Sequence, residues 1–170
     1  MSQRTAGNTI VVSVDGSAAS MEALRWASAQ ARALQADIVA VHAWQPIGAR
    51  FAPYAPASAR PTATEQRDRA AQLLAGTLRA VFGLQIDRAV VAEGPPERVV
   101  LRQAPGALLL ALGYKARGQY DLPSMGSVSR ACLRHATAPV VAVPAAAGSD
   151  RPASPLGAER TPAFARSGAA

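Results

Sequence analysis

Two short segments carry residue types that could do chemistry. Asp15-Gly16-Ser17 offers a carboxylate able to accept hydrogen bonds from ribose hydroxyls, beside the start of a helix. Taken alone, these residues read more simply as an Asp-Gly turn with a serine cap. The second segment begins at Gly113 and returns at Gly126-Ser127 to another helix start. Free backbone N–H groups and the positive end of the helix dipole favour an anion there. Glycines would let that backbone approach phosphate oxygens, and Ser127 and Ser129 could add hydroxyl donors. Gly-Ser before a helix is also a plain cap, so this segment needs a structural context before it means anything.

Other reactive residue types point to packing. His42 falls inside a strand-like run and reads as a packed histidine, and His135 at a helix C-terminus favours the dipole when protonated. Cys132 is the sole cysteine, which rules out an internal disulfide and a zinc cluster; a small buried apolar residue is the expected role. Trp26 belongs to the first helix, while Trp44 either walls a ligand pocket or covers the core. No Ser, His and acid grouping suggests a triad.

Composition narrows the class further. The chain has 170 residues, enough for one domain of ordinary size. Its apolar content is dominated by 40 alanines; Leu, Ile, Val and Phe together number only 35, and nearly all precede residue 145. The net charge of +7 comes from 17 Arg and one Lys dispersed along the chain, never three in a row. That dispersion describes solvated helix faces, so specific nucleic-acid binding is not expected. No run approaches the roughly 18 apolar residues of a membrane helix, and the N-terminus lacks a signal-peptide core. Membrane attachment is therefore not expected, and a cytoplasmic protein is.

The elements that must position these residues follow from periodicity and turn chemistry. Thr9 to Val14 is a β-branched run ending at Asp15-Gly16-Ser17, and from Ala18 to Gln35 apolar positions at spacings of three and four predict an amphipathic helix. Ile38 to Ala43 predicts a second strand. Four prolines between Trp44 and Pro61 predict a long loop. Thr62-Ala63-Thr64-Glu65 fits a capping box opening a helix that ends near Gly83. Ile86 to Ala92 predicts a third strand, Gly94-Pro95-Pro96-Glu97 a third helix ended by Pro105-Gly106, and the uncharged Ala107 to Leu112 a central parallel strand. A helix from about Ser127 to His135 and a strand from Pro139 to Val143 complete the pattern. Strict β-α alternation means an α/β fold: a doubly wound, Rossmann-like parallel sheet with helices on both faces. Residues 1–8 are expected to be flexible, 9–144 to form the domain, and 145–170, rich in Ala, Pro and Arg, to be disordered.

Beyond these patterns, the chain resembles the universal stress proteins, of the kind abundant in actinobacteria. The resemblance rests on Ile10-Val11-Val12-Ser13-Val14-Asp15-Gly16-Ser17, Glu93-Gly94-Pro95-Pro96, Gly126-Ser127-Val128-Ser129 and Leu133-Arg134-His135-Ala136-Thr137-Ala138-Pro139-Val140-Val141, over about residues 8 to 144. It implies a regulatory module of the stress response that is not an enzyme; the adenylylating His-x-Gly-His and the Ser-Gly-Gly-x-Asp-Ser loop of related folds do not occur in the sequence. The strand order expected is 3-2-1-4-5, which sets the Asp15 and Gly113 turns side by side. Homodimerisation is implied through the strand Pro139 to Val143.

ATP-binding members carry a glycine, two residues, a second glycine, nine residues, then glycine and Ser or Thr. Gly113, Gly126 and Ser127 fit this pattern, but Ala116 stands at the second glycine. The resemblance therefore implies weak ATP binding, with Mg2+ accompanying the nucleotide, by Asp15, Ala43, Gly113, Ala116, Gly126, Ser127, Val128 and Ser129. Ala116 adds a methyl where phosphate would approach, and Asp121 adds a negative charge that Lys115, Arg117 and Arg130 offset. Leu108 and Pro123 also depart from the usual pattern. The alternative is a member that binds no nucleotide and acts through protein association.

Overall fold

The computed structural model describes residues 7–46, 61–81, 86–114 and 125–145. Its elements run β1 (Thr9–Ser13), α1 (Ala18–Leu34), β2 (Asp37–Trp44), α2 (Ala63–Ala80), β3 (Arg88–Glu93), α3 (Pro96–Gln103), β4 (Leu109–Tyr114), α4 (Ser127–His135) and β5 (Val140–Pro144). All pairings are parallel and the strand order is β3-β2-β1-β4-β5. The expected sheet is therefore the observed one. Residues 1–6, the segment 47–60 of the expected long loop, and the expected tail from 146 lie outside the described residues.

Strand alternation splits the core into two layers. Ile10, Val12, Ile38 and Ala40 meet Ala23, Leu24, Ala27 and Leu74 of α1 and α2 on one face. Val11, Val39, Val41, Leu110 and Leu112 meet Val99, Val100 and Cys132 of α3 and α4 on the other. β1 and β4 are central, so both their faces are covered and their sequences read as continuous apolar runs. Among the described residues no helix is long and apolar enough to cross a membrane.

Local chemistry fixes the helix ends. Ser17 caps α1 through its hydroxyl, 3.2 Å from the Ser20 amide, and Thr62 with Glu65 forms the expected capping box on α2. Two strands begin two residues later than the sequence suggests, and β5 begins one later. Residues Ile86 and Asp87 precede β3 because the Asp87 carboxylate, at 2.9 Å, takes the Ile38 N–H that a ladder partner would otherwise use. β4 starts at Leu109, after the turn bond from Ala107 N–H to the Ala104 carbonyl, and continues through Gly113 and Tyr114. Gly113 therefore does not open a loop. It sits within the ladder opposite Val143, and Ala145 N–H still bonds the Tyr114 carbonyl at 3.0 Å.

Candidate functional site

The sheet order brings the carboxyl ends of β1, β2 and β4 together beneath the starts of α1, α3 and α4. A cleft of about 130 Å³ opens there, lined by Ser13, Val14, Asp15, Ser20, His42, Ala43, Pro96, Leu112, Gly113, Val128 and Ser129. A wider depression of about 270 Å³ shares Asp15, Gly113, Val128 and Ser129 with it and adds Ser17, Ala19, Tyr114, Gly126 and Ser127. This is the crevice where strand order reverses, the usual ligand position in open α/β sheets.

One wall of the crevice is built to accept hydrogen bonds. Gly16 adopts φ +82°, a left-handed conformation that lets the chain turn from β1 into α1. Asp15 Oδ1 accepts the Ser17 N–H at 2.9 Å, and the Ser20 hydroxyl donates to the Ser17 carbonyl at 2.9 Å. The turn-and-cap reading of Asp15-Gly16-Ser17 is thus realised, and the carboxylate still lines both parts of the crevice. Burial pushes the Asp15 carboxyl up, but hydrogen bonds from the Ser17 hydroxyl and backbone, with a lesser one from Ser20, outweigh it and hold the group below its ordinary value. It is an anion at neutral pH.

The opposite wall is built to donate. Gly126 is the N-cap of α4, at φ −59° and ψ 162°, and no side chain caps the helix. The first intrahelical bond is Arg130 N–H to the Gly126 carbonyl at 3.0 Å, so the amides of Ser127, Val128 and Ser129 precede it. No acidic residue stands in the first turn. Ser129 is only 5% exposed, and its hydroxyl has no partner among the described residues. Such a buried unpaired hydroxyl calls for an explanation, and a ligand is one.

Gly113 contributes by what it lacks. An ideal Cβ there would lie 2.3 Å from the Ala19 carbonyl carbon and 2.6 Å from the Ser20 amide nitrogen, so the glycine lets α1 rest directly on β4. This gives the glycine a packing role, and it also lines both parts of the crevice. For Gly126, by contrast, no described residue lies within 4 Å of its Cβ position.

Of the residues expected at the site, Asp15, Ala43, Gly113, Gly126, Ser127, Val128 and Ser129 line the crevice. Ala116, with Asp121, lies outside the described residues. Sequence reasoning missed Ser20, His42, Pro96 and Leu112. Position at a strand's carboxyl end is a signal that could have found Leu112, and Pro96 belongs to a motif already noted. His42 is packed, as expected, with Nδ1 2.7 Å from the Val14 carbonyl, but it also lines the narrower cleft. Trp44 lines neither part. Cys132 is fully buried, and burial followed by the nearby Glu97 carboxylate pushes its thiol up to about 11.

A model of the universal stress protein family matches residues 7–144, most of the chain. The chain belongs to that family. A universal stress protein of Mycobacterium tuberculosis is 33% identical over 135 residues, which is 78% of this chain and 42% of the relative. The chain thus spans about two fifths of the length of the curated relatives it matches. A universal stress protein solved in complex with cAMP aligns with a TM-score of 0.58 and 21% identity, covering 82% of this chain and 98% of that one. One from Arabidopsis thaliana with AMP bound aligns with a TM-score of 0.55 and 18% identity, covering 82% and 93%. At such identities these universal stress protein structures establish the shared fold.

Proposed function

We propose that this universal stress protein is an adenine-nucleotide-binding regulatory module of the stress response, cytoplasmic and without enzymatic activity of its own. The carrying observation is the buried Ser129 hydroxyl, without a partner among the described residues, at the uncapped start of α4 in the crevice that Asp15 also lines. A donor wall opposite an acceptor wall suits a ligand with an anion at one end and hydroxyls at the other. In this reading the phosphates lie over Gly126, Ser127, Val128 and Ser129, Asp15 takes the ribose, and the backbone of Ala43 borders the adenine. Relatives solved with cAMP and AMP support the ligand class. Among the described residues no group of three metal-ligating side chains exists, so Mg2+ would arrive with the phosphates. A homodimer is proposed through β5, whose outer edge has no neighbour among the described strands. Light scattering checks it, and a monomer mass at micromolar concentration refutes it.

The sequence observation favouring a second reading, a module that binds no nucleotide and acts by protein association, is Ala116 with Asp121. Calorimetry on the wild type and on the double variant Ala116→Gly, Asp121→Asn separates the two. Weak ATP binding by the wild type is expected; if Ala116 must adopt a left-handed conformation or sits against the phosphates, the glycine relieves about 1 kcal/mol, worth about five-fold in affinity. The aspartate contributes a comparable gain that shrinks at high salt. If neither protein binds at millimolar ATP, the nucleotide reading fails and Gly126-Ser127 is only a helix start.

A further inference from the structure

The crevice holds a second buried polar atom without a partner among the described residues. His42 is 9% exposed and lies in β2 opposite Val91. Strand alternation puts its side chain on the face of Ile38 and Ala40, and it borders Asp15, Ser20 and Ala43 in the narrower cleft. Its Nδ1 is 2.7 Å from the Val14 carbonyl. A carbonyl only accepts, so Nδ1 carries the proton, and in the uncharged ring Nε2 is then a lone pair. No described residue donates to it. Meanwhile Asp15 Oδ1 is engaged by the Ser17 N–H, so part of the carboxylate's acceptor capacity is already used.

We propose that His42 is a specificity-determining residue: its Nε2 is the second acceptor beside Asp15, and together they read a vicinal diol, so the site prefers ribonucleotides to 2′-deoxyribonucleotides. This rests on the adenine-nucleotide reading above. A ligand lacking one hydroxyl leaves a buried acceptor unpaired, the situation in which recognition discriminates most strongly. The Nδ1 bond has a separate job, holding the ring and the end of β1 in register.

Calorimetry of the full chain with AMP and with 2′-deoxy-AMP tests this. The wild type is expected to favour AMP by roughly ten-fold. His42→Asn can keep a donor toward Val14 while offering nothing at the Nε2 position, so it should bring the ratio near unity with melting temperature little changed. His42→Gln, whose amide oxygen reaches the Nε2 position, should restore part of the preference. Equal wild-type affinities, or a preference that survives His42→Asn, overturn the proposal while leaving the nucleotide reading intact. Should His42→Asn not fold, the wild-type ratio and His42→Gln decide. A wild type that binds neither AMP nor 2′-deoxy-AMP overturns this proposal, and the nucleotide reading is then decided by ATP as above.

Discussion

Gly113→Ala is the sharpest test of how the crevice is built. Its added Cβ would sit 2.3 Å from the Ala19 carbonyl carbon, 2.4 Å from that carbonyl's oxygen and 2.6 Å from the Ser20 nitrogen, where ordinary contact begins at 3.4 Å. All three are backbone atoms, so no side-chain rotation relieves the overlap. The first turn of α1 must move off β4 by about 1 Å. Overpacking typically costs about 1–3 kcal/mol, and a forced backbone shift belongs at the upper end, about 3 kcal/mol. For a domain of this size that lowers the melting temperature by about 10 °C. The same shift moves Ser17 and Ser20, which hold Asp15, so nucleotide affinity should fall with stability. Gly126→Ala is the control: nothing lies within 4 Å of its Cβ position and its φ is −59°, so its stability should change by less than about 0.5 kcal/mol. Thermal denaturation of both variants reads the contrast. If Gly113→Ala melts within about 2 °C of wild type, the close approach of α1 to β4 is wrong and the packing role assigned to this glycine falls.

Three further outcomes are expected. Gly126→Val fills open space at the start of α4, so it should leave melting almost unchanged while lowering ATP affinity more than ten-fold; unchanged affinity in calorimetry would place the ligand elsewhere. Asp15 has its folded value below the 3.8 of the free carboxyl, so it contributes stability that is present above about 3.8 and is lost as pH falls through the lower folded value. Asp15→Asn should therefore flatten part of the acid limb of a stability-against-pH curve, and an unaltered limb would show that the Ser17 bonds do not hold the charge. Cys132 should react with a thiol reagent at pH 8 only after denaturant is added, since burial removes it from solvent and raises its thiol to about 11; prompt labelling of the native protein would contradict its burial.

The β-α alternation was legible because turn chemistry marks nearly every boundary: Asp15-Gly16-Ser17, Thr62 to Glu65, Pro95-Pro96 and Gly126-Ser127 all sit where helices begin. Strand ends were less legible where a long-range bond sets them. Nothing local shows that Asp87 will bond the Ile38 amide 49 positions away, or that Gly113 will meet α1 rather than open a loop. The donor wall of the site could be read from Gly126 to Ser129, a contiguous stretch at one helix start. His42 and Ser20 could not, because each is one polar letter inside an apolar strand or helix. Their meaning arises only when β1, β2 and β4 end side by side.

Why an anion should choose α4 follows from comparing the helix starts that the fold supplies. α1 begins in the same crevice, but Ser17 caps it and the Asp15 carboxylate stands before it, so an incoming anion meets a satisfied amide and a like charge. α2 is closed by its own Thr62 and Glu65. α3 opens with Pro96, which has no N–H to offer, and carries Glu97 in its first turn. Only α4, among the described helices, combines the absence of a side-chain cap, the absence of an acid in its first turn and a buried hydroxyl one turn in. The dipole is alike in all four, so the choice among them is made by the flanking side chains. Closing α1 with Asp15 and leaving α4 open gives the crevice a fixed polarity, a carboxylate acceptor on one wall and uncapped amide donors on the other. In the proposed reading a nucleotide that spans it has one orientation, set by residues that each helix start required anyway.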